Sequence, residues 1–133
     1  MKNNQVCEHF ANGDTSARTK NLFIETDILF SYGRHYPLCI RLKDGFILNV
    51  SGYSQTTSQH TGHLVRAITN LSNFKELERA KKNGDYKHII FMDTQNMSNL
   101  IYDFNKPLDE SNFKDFSNTT IQDLINKQVL NNL

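Results

Sequence analysis

From Ile28 onward the apolar residues fall on alternate positions. Ile28, Phe30, Tyr32, Tyr36, Leu38, Ile40 and Leu42 alternate with Ser31, Gly33, His35, Arg41 and Lys43. A period of two predicts a half-buried strand, or two strands in succession. Arg34 breaks the apolar face and Pro37 lacks a ladder N–H, so an edge, a bulge or a turn is expected between Gly33 and Pro37. A hairpin follows. Closing it through Lys43-Asp44-Gly45 sets Leu42 against Phe46, Ile40 against Leu48 and Leu38 against Val50, all on one face. Gly45 then supplies the left-handed residue of a bulged loop. An Asp44-Gly45 loop would mix the faces.

Beyond Val50 the period changes. Leu64, Ile68 and Leu71 recur at helical spacing after the hydroxyls of Thr56, Thr57 and Ser58, which predicts a helix over about 57–71. Asn73 with Glu76 reads as a fresh N-cap for a second helix over 74–82, ended by Asn83-Gly84. His88–Met92 predicts a short buried strand, and Leu100–Phe104 another. Ile121, Leu124, Ile125 and Val129, behind Thr119 and Thr120, predict a last helix over about 120–130. Residues 105–118 read as a loop and residues 1–20 as an irregular arm. The expectation is one α+β domain over 1–133, an antiparallel sheet built on the 28–50 hairpin and packed against these helices.

Composition narrows the classes. The 133 residues are 38% hydrophobic, with nine Phe and five Tyr, enough for a core. A formal charge of +1 carries no global field toward DNA, membrane or acidic partners. Met1-Lys2-Asn3-Asn4 leads into no apolar h-region, and no apolar run approaches the ~18 residues of a membrane span. A cytoplasmic protein without membrane contact is therefore expected. Cys39, among strand residues, reads as core, and Cys7 as a bystander.

The candidate chemistry lies at the joints of the 21–68 block. Tyr32, Arg34, His35 and Tyr36 interrupt the first strand, and Ser54, Thr56, Thr57 and His60 precede or open the helix. His35 beside a guanidinium could act as a base next to a bound anion, and the hydroxyls could cradle a phosphate at a helix N-terminus. The plainer reading is that the hydroxyls cap the helix and His35 bonds to backbone. His60 and His63 have a spacing compatible with a metal pair, but no CxxC, HExxH or carboxylate pair accompanies them, and no metal or cofactor is assigned. Asp93, behind HIIFM, is the carboxylate placed most like a nuclease ligand. Lys75, Arg79, Lys81, Lys82 and Lys87 are balanced by Glu76, Glu78 and Asp85 and read as a solvated helix face. No catalytic residue is assigned.

The strings Ser31-Tyr32-Gly33-x-His35-Tyr36-Pro37 and Ser54-x-Thr56-Thr57-Ser58-x-His60, with Asn21-Leu22-Phe23-Ile24-Glu25 before them, carry a resemblance. The chain resembles, over about residues 12–70, a group of small proteins of unknown function encoded largely by bacteriophages and other mobile elements. That resemblance implies a mobile-element setting inside a host bacterium and names no reaction. Together with small size and the lack of a catalytic constellation, it gives three expectations. The first is a stoichiometric inhibitor of a host defence protein or nuclease complex, of the anti-CRISPR kind, acting by protein–protein contact. The second is a nucleic-acid or nucleotide binder using Arg34, His35 and the hydroxyl-rich helix start. A His-dependent phosphoryl-transfer enzyme is the third. An unpaired edge strand leaves a homodimer open.

Overall fold

The computed structural model describes residues 1–52, 55–102, 114–127 and 129, with backbone alone at 55–57. Six strands form one sheet in sequential order: β1 (Ser16–Arg18), β2 (Leu22–Glu25), β3 (Ile28–Ser31), β4 (Pro37–Arg41), β5 (Phe46–Asn49) and β6 (Ile89–Met92). The first five make an antiparallel meander. β6 instead lies parallel to β5. Parallel neighbours need a long crossover, supplied here by α2 (Gln55–Ile68) and α3 (Phe74–Lys82). The α+β class expected from the sequence is the class observed.

Helices cover both faces of the sheet. Against one face lie α1 (Asn3–Ala11), α2 and α3, which contribute Val6, Cys7, Phe10, Leu64, Val65 and Leu77 to a core with Leu22, Leu29, Cys39, Leu48 and Ile89. Against the other lie α4 (Thr94–Ile101) and α5 (Ile121–Asn126), with Met97, Leu100, Ile101 and Leu124 packed on Ile28, Phe30, Ile40, Ile47 and Ile90. The central strands are thus buried on both sides rather than half-buried.

Two-sided burial explains the misread hairpin. When both faces are apolar, alternation no longer selects a register. The observed pairs are Cys39 with Leu48, Ile40 with Ile47 and Arg41 with Phe46, and Leu42 N–H bonds to the Gly45 carbonyl at 2.8 Å. The loop is therefore Lys43-Asp44. Gly45 is not left-handed; a Cβ there would stand 2.1 Å from the carbonyl oxygen of His88. Close approach to β6 requires the glycine.

The irregularity predicted near Pro37 is a bulge. Leu29 pairs with Cys39 but Phe30 with Pro37, so Leu38 is an extra residue. Leu38 and Cys39 both enter the α1–α3 core, whereas Ile40 and Leu42 enter the opposite one. The single apolar face read from Tyr36 to Leu42 is divided at that bulge.

At the N-terminus, residues 3–11 are helical, not irregular. Val6, Cys7 and Phe10 form a short apolar stripe, fully buried. Arg41 fastens this helix to the sheet: its guanidinium donates to the carbonyls of Phe10 (2.6 Å), Asp14 (3.1 Å) and Thr26 (3.0 Å), and to Asp27 Oδ1 (3.2 Å). It also lies 4.8 Å from the Phe10 ring centroid.

Other elements follow their local signals. Asn73 caps α3 by accepting from the Glu76 N–H, and Thr120 caps α5 in a reciprocal pair with Asp123. The last helix ends at Asn126, short of the expected span. Leu100 and Ile101 belong to helix α4, not to a strand, and Asp93 caps that helix through the Asn96 N–H at 2.8 Å. Lys81 is not simply solvated. Its ammonium donates to the carbonyls of Tyr86 and Ile89, lies over the Phe91 ring, and has its pKa lowered by burial. No helix among the described residues is long and apolar enough to cross a membrane.

Candidate functional site

The turn between β3 and β4 carries four of the expected site residues. Ser31 N–H bonds to the Tyr36 carbonyl (3.1 Å) and Tyr36 N–H to the Gly33 carbonyl (3.1 Å), which closes the turn. Tyr32 lies in the left-handed region with φ 68° and is 52% exposed. That backbone region is costly for a bulky side chain, by about 1–2 kcal/mol. His35 is exposed too, with its ring packed over Gly33, where a Cβ would meet Nδ1 at 2.8 Å.

The other two residues of the turn are held inward. Arg34 embraces Glu25, with Nη2 2.9 Å from Oε2 and Nε 2.9 Å from Oε1. Its carbonyl accepts from the phenol of Tyr102, whose pKa burial pushes up to about 12. Tyr36 is buried and donates its hydroxyl to the Ser51 carbonyl. The anion-binding arginine of the sequence reading is therefore already paired with a carboxylate, and the second tyrosine is a tether.

His60, near the start of α2, is buried, and it links three elements. Ser31 Oγ lies 2.9 Å from its Nδ1, and Asn3 Nδ2 lies 3.4 Å from its Nε2. Both Ser31 and His60 are 1% exposed. The direction of the chain can be assigned. Thr19 Oγ1 accepts from the N–H groups of Asn21 (3.2 Å) and Leu22 (3.0 Å), so its own proton goes to Asn3 Oδ1 at 2.5 Å. This orients the Asn3 amide with Nδ2 toward His60. Nε2 of His60 is then the acceptor, and Nδ1 carries the proton and donates to Ser31. Burial first, and then the nearby His63, hold the imidazole below its ordinary pKa of 6.5, which keeps it neutral.

Ser31, His60 and Asn3 have the composition of a nucleophile–base–orienter triad, but the polarity is opposite to what catalysis needs. A general base must accept the nucleophile's proton, and here the imidazole donates to the hydroxyl. His63 is not free as a second metal ligand, because its Nδ1 accepts from Arg66 at 2.8 Å. Cys7 is a buried core residue; burial raises its thiol to about 12 and raises Cys39 as well. Neither is a nucleophile at neutral pH.

The expected cluster is thus partly assembled. Tyr32 lies over His60, ring centroids 5.5 Å apart, so the turn and helix α2 do meet. Ser54, and the side chains of Thr56 and Thr57, lie outside the described residues. Asn3 and Thr19 carry no signal in the sequence, and Ser31 enters there only as a strand position and as the head of the Ser31-Tyr32-Gly33 string. A pocket of about 190 Å³ opens nearby between Asn49, Ser51, Gly52, Ser58, Thr61 and Phe74. No protein-family model, no curated protein and no solved structure matches this chain.

Proposed function

We propose that this chain is a small phage- or mobile-element-encoded binding protein that inhibits a host defence protein or nuclease complex by stoichiometric protein–protein contact. The observation that carries the reading is Tyr32. A half-exposed aromatic is held on strained left-handed backbone at the first position of a closed turn that also displays the exposed His35. Strain of this kind clusters at binding loops. Tyrosine is also a favoured interface anchor, with large contact area and few rotors.

The chemistry around it favours binding over turnover. His60 is buried and donates to Ser31, and Arg34 is neutralised by Glu25, which weakens both the phosphoryl-transfer and the nucleic-acid alternatives. The test uses Tyr32→Gly, since glycine accepts φ 68° without strain. Wild type and variant are compared in pull-downs from nuclease-treated host lysate, and in cells where the defence system restricts a phage. The variant should stay folded, lose the captured protein by about tenfold or more, and lose protection. Equal capture and equal protection would overturn the reading. Capture that requires intact nucleic acid and vanishes at high salt would transfer it to the nucleic-acid alternative.

A further inference from the structure

The His60 chain does more than join elements; it ends on the residue the turn displays. Tyr32 follows Ser31 directly, and its N–H donates to the Asn21 carbonyl at 2.8 Å, while Asn21 N–H donates to Thr19 Oγ1. One polar path, Thr19–Asn3–His60–Ser31, therefore fixes the first residue of α1, the β1–β2 connection and both backbone approaches to Tyr32. We propose that this path is an acid-sensitive latch: protonation of His60 places an N–H opposite the Asn3 N–H and releases α1 together with the Tyr32 turn.

Among the described residues, the protonated ring finds no acceptor for its second N–H. Asn3 cannot flip to offer its oxygen to Nε2, because its nitrogen would then face Thr19 Oγ1. That oxygen already accepts two backbone N–H bonds and needs an acceptor for its own proton. Nor, among the described residues, does a carboxylate bond to the ring. From α1 it meets the Asn3 amide, from β3 and its turn the Ser31 hydroxyl and the Tyr32 ring, and from its own helix His63. Glu8 of α1 and Arg66 of α2 act on Cys7 instead.

The sign follows from the neutral ring being the one that fits. A histidine whose folded-state pKa is lowered contributes stability that is complete above its ordinary 6.5 and is lost as pH falls. One proton is taken up per opening, so the closed-to-open ratio falls as pH drops below 6.5, by at most about tenfold per pH unit.

The latch rests on the binding reading only in making the Tyr32 turn its output, and its test needs no partner. Amide hydrogen exchange on the intact chain, corrected for intrinsic rates, is read at about pH 7.5 and about pH 5. In wild type, protection across residues 3–11 and 31–36 should fall, by up to about thirtyfold, while α3 keeps its protection. Asn3→Asp is the reciprocal variant. Its carboxylate still accepts from Thr19 and now accepts from the protonated Nε2, so protection of α1 should hold or increase in acid. Unchanged wild-type protection, an equal loss in α3, or the same profile in Asn3→Asp would each overturn the latch. A latch that behaves as expected while Tyr32→Gly binds normally would leave the latch intact and remove the binding role of the turn.

Discussion

Two amide networks, each with a buried member, brace this sheet, and they differ in one respect that governs their behaviour. At the C-terminal ends of β5 and β6, Asn49 donates to the Pro37 carbonyl (2.8 Å) and to Thr94 Oγ1 (2.9 Å), and its oxygen accepts from Ser51 N–H (2.8 Å). Ser51 Oγ in turn accepts from Thr94 N–H. Beside Tyr32, Asn3 plays the equivalent role, but its partner is a histidine. Asn49 and His60 are each 1% exposed. The difference is that the Asn49 network contains no group that changes charge between about pH 5 and 8, whereas His60 does. One network is a fixed rivet across β4, β5 and α4; the other holds only while its ring is neutral.

The strongest way to probe that contrast is Asn49→Leu. It strands the buried Pro37 carbonyl and the half-buried Ser51 and Thr94 groups, and should cost about 2 kcal/mol, the same at every pH between about 5 and 8, in urea denaturation. A loss that shrinks in acid would place a titrating group in the rivet. His60→Phe should cost about 2 kcal/mol near neutrality by orphaning Asn3 and Ser31. The gap to wild type should narrow as pH falls below 6.5, because wild type then loses stability that the variant never had. A constant gap would contradict the difference drawn here. Smallest is Tyr32→Gly, which relieves left-handed strain but removes the ring over His60. The net change should be under about 1 kcal/mol, in the stabilising direction. A substantial loss would mean that the tyrosine is there for packing.

Much of the fold could be read from the chain where one local rule decided it. Asn73 and Glu76 gave the start of α3, Pro37 gave the bulge region, and HIIFM gave β6. Failures came where a local pattern was blind to its surroundings. Helices on both sides removed the alternation that would have set the hairpin register, and Gly45 answers to the carbonyl of His88, just before β6 and far along the chain. α1 was missed because its apolar stripe is only Val6, Cys7 and Phe10 among polar neighbours, and tertiary burial stabilises it. The candidate site divides the same way. Tyr32, Arg34, His35, Tyr36 and His60 were visible as unusual residues at joints. Their roles depended on Glu25, Asn3, Thr19 and Ser31, which no spacing connects to them.

The case against catalysis at the Ser31–His60 pair, and the latch with it, turn on which nitrogen of His60 carries the proton. Long-range ¹H–¹⁵N correlation of the imidazole rings near neutral pH, with His60 assigned by comparison with His60→Gln, reads that directly. The account predicts the Nδ1–H tautomer, donating to Ser31 and accepting from Asn3. An Nε2–H tautomer would leave Nδ1 to accept from Ser31, make the pair a poised nucleophile and base, and contradict both the latch and the case against catalysis.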